Sequence, residues 1–290
     1  MIKFADEETK LQVRQMWKIC FEDTDEFLDV LFKYKYRNEN TLIYFEGDVA
    51  VASLQMLPYA ITFCGETIPF AYMAGLCTLP EYRNRGYMPV LIDKAHEILA
   101  QRNIPLAILI PAEDWLYKYY ERFGYTQVFD KGSEPIYPIE KILSDYPDMD
   151  AGYVAYNAMY RCRDFCVQKS FDDFIAIAIE QDMDGFPEKY NLPGMACIID
   201  EFSLLNLYAE QNKQLHFRMK INNQTKANQS EQVIAINRGF AEYVRSESFD
   251  IAVDLPFLCQ LLFGYKTDKL IAPYNTLFPV HQPIMNQMLE

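Results

Sequence analysis

Within LPEYRNRGYM, at positions 79–88, Arg83, Arg85 and Gly86 have the types and the spacing for anion chemistry. Two guanidiniums can make paired, charge-assisted hydrogen bonds to phosphate oxygens. Glycine removes a Cβ where backbone must approach a ligand closely. The residues after Gly86 read as a helix: Met88, Leu91, Ile92, Ala95, Ile98 and Leu99 share one face, and Pro89 falls in the first turn, where a missing N–H costs little. A helix start presents unpaired amides and a partial positive charge. Arg83, Arg85, Gly86, Tyr87 and Met88 together therefore describe a cradle for a diphosphate. The competing reading of RNRG is a solvated turn with ordinary surface arginines.

The flanking segments decide which reading gains weight. Residues 6–37 carry a helical apolar pattern. TLIYFE and VAVASLQML across Gly47-Asp48 read as one hairpin, and PYAITFC and TIPFAYM across Gly65-Glu66 as a second. Beyond the helix, residues 104–110 form an unbroken apolar run, the mark of a strand buried on both faces. Strand, helix, strand implies a right-handed parallel or splayed crossover. DWLYKYYERFGYTQVF then reads as a short helix stopped at Gly124 and another strand. Pro- and Gly-rich sequence at 131–152 ends the first unit, and 153–182 is helical again. GMACIIDEFSLLNLYAEQ reads as strand then helix, LHFRMKINN and QVIAINRG as paired strands, KINNQTKANQSEQ at 220–232 as a polar loop, and FDIAVDLPFLCQLLFG as strand then helix.

Composition narrows the function. With 41 carboxylates against 27 Lys plus Arg, the net charge of −14 argues against nucleic-acid binding. The charged N-terminus lacks a signal core, and IPLAILIPA falls well short of the ~20 apolar residues a membrane helix needs, so a cytoplasmic protein that avoids membranes is expected. Seven scattered cysteines fit a reducing compartment. Cys162 and Cys166 lie one helical turn apart, but only His96, His216 and His281 could join them, so no metal site is expected.

AGLCTLPEYRNRGYMPVLIDKAHEIL resembles the coenzyme A motif of the GCN5-related N-acetyltransferases (GNAT). Arg83, Gly86 and Met88 fall on its Gln/Arg-x-x-Gly-x-Gly/Ala signature; Met88 replaces the usual small residue, which the enhanced-intracellular-survival (Eis) branch tolerates. YYERFGY at 119–125 is similar to the second hallmark, an aromatic-rich helix ending in glycine and an aromatic, and the likeness covers 40–130. GMACIIDEFSLLNLY, FDIAVDLPFLCQLLFGYKTDKL and PIMNQMLE resemble the sterol-carrier-protein-like domain that closes Eis-type chains. Such chains usually carry a second GNAT-like module, and here only 153–190 fill its place.

The resemblance implies an α+β or α/β fold with a mixed, mostly antiparallel sheet, splayed parallel strands and flanking helices, followed by a smaller α+β domain. The division it implies is an acetyltransferase domain at 1–140, a linker with a helical remnant at 141–190, and a sterol-carrier-like domain at 191–290. It implies acetyl-CoA as cosubstrate and direct transfer, in a ternary complex, to a primary amine: a polyamine- or aminoglycoside-like compound or a peptide amine. Homo-oligomers occur in that branch. Strands 72–78 and 104–110 would hold the pantetheine arm, with Leu76, Cys77 and Thr78 facing it. Tyr120, four residues before Gly124, would protonate the leaving thiolate, its unperturbed pKa of about 10 being close enough to a thiol's. The terminal carboxylate of Glu290 would receive the amine, with Glu113, Asp114 and Glu121 as local alternatives. Cys77 as a nucleophile is the weaker reading, because no histidine in the local motif would activate it. The alternative to an enzyme is a non-catalytic acyl-CoA or lipid sensor.

Overall fold

The computed structural model describes residues 1–222 and 232–289. It begins with β1 (Ile2–Phe4), α1 (Lys10–Phe21) and α2 (Asp25–Tyr34). The helical pattern over 6–37 is thus two helices, parted where Glu22 turns left-handed at φ 61° and Thr24 caps α2 by accepting from the Phe27 amide. Both bury one stripe, Val13, Met16 and Trp17 from α1 and Phe27, Leu28, Val30 and Leu31 from α2.

Next come β2 (Thr41–Glu46), β3 (Val49–Phe63) and β4 (Glu66–Thr78), an antiparallel meander. The expected four short strands are three, because β3 runs unbroken through Pro58. Proline normally interrupts a central strand for want of an N–H. Pro58 is tolerated because it lies between the stretch of β3 that β2 covers, ending at Gln55, and the stretch that β7 (Val167–Gln168) covers, starting at Ala60. Then follow α3 (Tyr87–Gln101), β5 (Leu106–Leu109), α4 (Asp114–Glu121) and β6 (Thr126–Phe129).

α5 (Ile139–Asp145), α6 (Met149–Tyr160) and α7 (Phe171–Met183) pack around Ile139, Ile142, Tyr156, Phe174 and Ile177. β8 (Gly194–Ile198) lies between β5 and β6 and is antiparallel to both. The sheet order is β1-β2-β3-β4-β5-β8-β6, with β7 on β3, so the strand that opens the last third of the chain completes the first sheet. α8 (Glu201–Gln211) leads to a second sheet of β9 (His216–Ile221), β10 (Gln232–Asn237), β11 (Phe240–Val244) and β12 (Ile251–Val253), ordered β11-β10-β9-β12, followed by α9 (Leu255–Leu262). Most of the expected polar loop, 223–231, lies outside the described residues.

Strand alternation divides the first sheet's side chains. Leu54, Met56, Ala71 and Met73 face α3 and α4, and Leu57, Tyr59, Phe70 and Tyr72 face α1 and α2. Among the described residues no helix is long and apolar enough to cross a membrane.

Candidate active site at the end of β4

β4 and β5 are parallel for three rungs only, Phe70–Leu106, Ala71–Ala107 and Tyr72–Ile108. β5 stops at Leu109, whereas β4 continues along β3 to Thr78. From Met73 onward β4 has no strand partner on its β5 side among the described residues. A bulge shapes this edge: between the pairs Gln55–Ala74 and Ser53–Cys77, β4 carries one residue more than β3. Gly75 supplies the turn at φ 58°, and a Cβ there would sit 2.3 Å from the Trp17 ring.

The chain then reaches α3 through Gly86, which holds φ 81° and ψ 14° at the N-cap. No side chain caps this helix, and a Cβ on Gly86 would meet nothing within 4 Å. Among the described residues no acceptor takes the amides of Gly86, Tyr87 or Met88. Arg83 and Arg85 are both exposed. Arg83 donates from Nε to the Thr78 carbonyl at 3.2 Å. Arg85 forms an ion pair with Glu46 at 3.2 Å and donates to the Glu81 carbonyl at 3.0 Å. Tyr87, half-buried, lies against Tyr44 with ring centroids 4.6 Å apart. An open glycine, uncapped amides and two guanidiniums suit a diphosphate chemically.

The three strand residues divide by side. Leu76 packs toward the α3 core, and Thr78 ends the strand. Cys77 points away, buried, with its sulfur 3.3 Å from Ser53 Oγ. Its thiol contacts that of Cys20, in the last turn of α1, and this hydrogen bond with burial holds Cys77 well above the usual thiol range. The same contact, reinforced by Arg83, lowers Cys20 to about 7. Cys20 also donates to the Thr78 carbonyl at 3.6 Å. Cys77 is therefore held as a thiol, and the more acidic sulfur belongs to Cys20, which no local motif marked.

Tyr120 is buried in the cluster that contains Met73 and Leu109, the residues just past the last β4–β5 rung. Its ring lies 5.3 Å from Tyr119 and 5.9 Å from Tyr125. Burial pushes its phenol up, so it is fully protonated at neutral pH. Behind it, His96 hydrogen-bonds the Tyr125 hydroxyl at 3.0 Å, and burial lowers that imidazole to about 4. Glu113, Asp114 and Glu121 are exposed.

Glu290 lies outside the described residues. The chain leading to it is fastened along the sheet: the Leu192 amide donates to the Met285 carbonyl at 2.7 Å, and Met288 and Leu289 are buried. Gly194 leaves the space that the Met285 methyl fills, and its missing Cβ would also lie 3.2 Å from the carbonyl of Leu109, the last residue of β5. On the α2 side of the sheet, Tyr72 meets Tyr59 edge to face at 5.9 Å. Tyr59 in turn forms one wall of a cavity of about 470 Å³.

Residues 1–128 match the acetyltransferase (GNAT) domain family. No curated protein matches the chain. Solved structures share the fold over nearly the whole length. A probable N-acyltransferase from Enterococcus faecalis has a TM-score of 0.64 at 14% identity, covering 99% of both chains. A GCN5-related N-acetyltransferase from Anabaena variabilis scores 0.62 at 14% identity, covering 99% of this chain and 97% of the other. Eis1 from Mycobacterium abscessus scores 0.63 at 10% identity, covering 100% and 99%. The protein thus has a mixed α+β, GNAT-like fold, and its first 128 residues match the acetyltransferase domain.

Proposed function

We propose that the protein is an acetyl-CoA-dependent N-acetyltransferase acting on a primary amine by direct transfer in a ternary complex. The carrying observation is the β4–β5 ladder that ends at Tyr72–Ile108 while β4 runs on to Thr78, followed at once by the uncapped start of α3. The open edge of β4 at Leu76, Cys77 and Thr78 offers backbone hydrogen bonds to an extended amide-bearing arm, apart from the Thr78 carbonyl, which already accepts from Arg83 and Cys20. Arg83, Arg85 and the amides of Gly86, Tyr87 and Met88 neutralise a diphosphate. Cys77 contributes backbone only, since its side chain turns toward Ser53 and Cys20.

Acetyl transfer needs a neutral amine aligned with the thioester and a proton for the leaving sulfur. Tyr120 serves as the proton donor; burial keeps its phenol protonated but moves it further from a thiol's range, so the transfer depends on its positioning rather than on matched acidity. The terminal carboxylate of Glu290 holds the incoming ammonium and receives its proton, and the buried run 285–289 anchors that end of the chain. The expected division belongs to the same proposal: 1–140 as the acetyltransferase unit, completed by β8 in the sheet, 141–190 as a helical connection, and 191–290 as a sterol-carrier-like unit of the Eis type. The fold likeness to Eis1 supports this arrangement.

A thiol-release assay with acetyl-CoA and a panel of primary amines tests the activity. Amine-dependent release that falls on deletion of Glu290 is the expected result; no release with any amine contradicts the proposal.

A further inference from the structure

The cavity behind Tyr59 is walled by Tyr34 and Tyr59, with Lys35, Arg37, Lys169 and Asp173 on its lining. Lys35 and Lys169 are each 5% exposed and Asp173 4%. Lys35 pairs with Asp173, donates to the Pro58 carbonyl at 3.2 Å, and lies 3.6 Å from the Tyr59 ring centroid. Lys169 lies 5.6 Å from the same ring. It donates a hydrogen bond to the neutral amide oxygen of Asn286, at 2.6 Å. On this lining, then, two buried lysines stand with one buried carboxylate, which pairs with Lys35 and acts on Lys169 only through its field, while a second buried carboxylate, Glu180 of α7, acts on Tyr59 from outside the lining. At the mouth, exposed Arg37 and exposed Asp172 offset one another.

An unmatched buried cation is costly, because its hydration is lost without a counter-charge in return. Such a site either sheds the proton or recruits an anion. The first tendency is visible: burial lowers Lys169 to about 7 despite the pull of Asp173 and Cys166, and the like charge of Lys35 adds to the fall. The second defines a ligand. Among the lining residues the excess of one cation matches a monoanionic carboxylate better than a doubly charged phosphate, and the walls of Tyr34 and Tyr59 suit an apolar or aromatic body beside it. The chain as a whole, at −14, repels anions at long range, so this cavity runs against the protein's general field.

We propose that this cavity binds a carboxylate-bearing ligand, with Lys169 as the counter-ion. The cavity lies one ring contact, Tyr59 to Tyr72, behind the last β4–β5 rung. Resting on the transferase reading, the ligand is the acceptor itself: a compound with both an amine and a carboxylate, such as a short peptide or amino acid, in preference to a polycation.

The experiment is calorimetric titration of the full chain, without coenzyme, with glycylglycine and glycylphenylalanine, each against its own C-terminal amide. Inorganic phosphate forms a separate arm. Each acid is expected to bind at least tenfold more tightly than its amide, and phosphate more weakly than either acid. Lys169→Met should collapse the acid–amide preference to under threefold, and Arg37→Gln, at the exposed rim, should reduce it in part. Wild type supplies an independent readout: a carboxylate beside Lys169 raises its proton affinity, so binding at pH 8 takes up protons, seen by comparing buffers of different ionisation enthalpy. Equal or reversed preference, binding of neither acid, tighter binding of phosphate, or no proton uptake overturns the proposal. Acid-selective binding with no acetyl transfer to either dipeptide would keep the site and remove the transferase reading instead.

Discussion

Tyr72 and Ile108 form the last rung between β4 and β5, and six residues of β4 extend beyond it without a strand partner on that side among the described residues. A strand edge without a partner leaves backbone groups to be satisfied by solvent, side chains or a ligand, as Arg83 and Cys20 satisfy the Thr78 carbonyl here. The bulge at Gly75 and the early end of β5 create an edge that a ligand arm can satisfy.

Tyr120→Phe is expected to leave coenzyme affinity within about twofold and to lower turnover on the order of 10²-fold, the range for loss of a general acid. Because burial raises the phenol, wild-type turnover should show no fall assignable to Tyr120 ionisation below pH 10. Steady-state kinetics across pH checks both. An unimpaired Phe variant assigns the proton to another group.

Cys20 should react with iodoacetamide through its thiolate, with the rate half-maximal near pH 7. Cys77→Ala removes the donor that stabilises that thiolate and should move the midpoint toward the ordinary thiol value of about 8.5. Peptide mapping of the alkylated protein reads this directly. Preferential labelling of Cys77 contradicts the arrangement.

Gly75→Ala places a methyl group 2.3 Å from Trp17 at a residue with φ 58°. The left-handed backbone alone costs about 1–2 kcal/mol for a residue with a Cβ, and displacing the indole adds to it. Chemical denaturation should show a loss of at least ~2 kcal/mol. A neutral substitution would mean that the bulge relaxes freely.

The turn at 83–86 and the helices that follow it were legible in the sequence because their signals are local. RNRG, Pro89 and the apolar face after Met88 lie within a few turns of one another, and so do Tyr120 and Gly124. Two features were not legible because their partners are remote in the chain. Pro58 reads as a break until β2 and β7 are seen to leave it unpaired. β8 inserts between β5 and β6 from more than sixty residues beyond β6. The Lys35–Asp173–Lys169 cluster is likewise non-local: Lys35 sits in FKYKYR, which looks like a solvated helix end, and Asp173 looks like a helix-capping residue, which it also is.

Asp173→Asn removes the carboxylate that pairs with Lys35 and acts on Lys169 through its field, and should cost about 3–5 kcal/mol, the range for breaking a buried pair. Lys169 adds a pH signature. Its folded value is lowered to about 7 while the unfolded chain keeps the ordinary value of about 10.4. Between those values the unfolded state binds the extra proton, so raising the pH stabilises the native state. Denaturation of wild type against Lys169→Met should show the difference moving in favour of wild type from pH 7 to 10. A constant difference would mean that the lysine is not desolvated in solution.

The central claim is that the open edge of β4 and the uncapped start of α3 bind coenzyme A, and calorimetric titration of the purified chain with coenzyme A measures it most directly. Saturable 1:1 binding is expected, weakened at least tenfold in Arg83→Glu/Arg85→Glu, with the circular dichroism of the variant unchanged. No binding by wild type, or an unchanged affinity in the charge-reversed variant, would contradict the account.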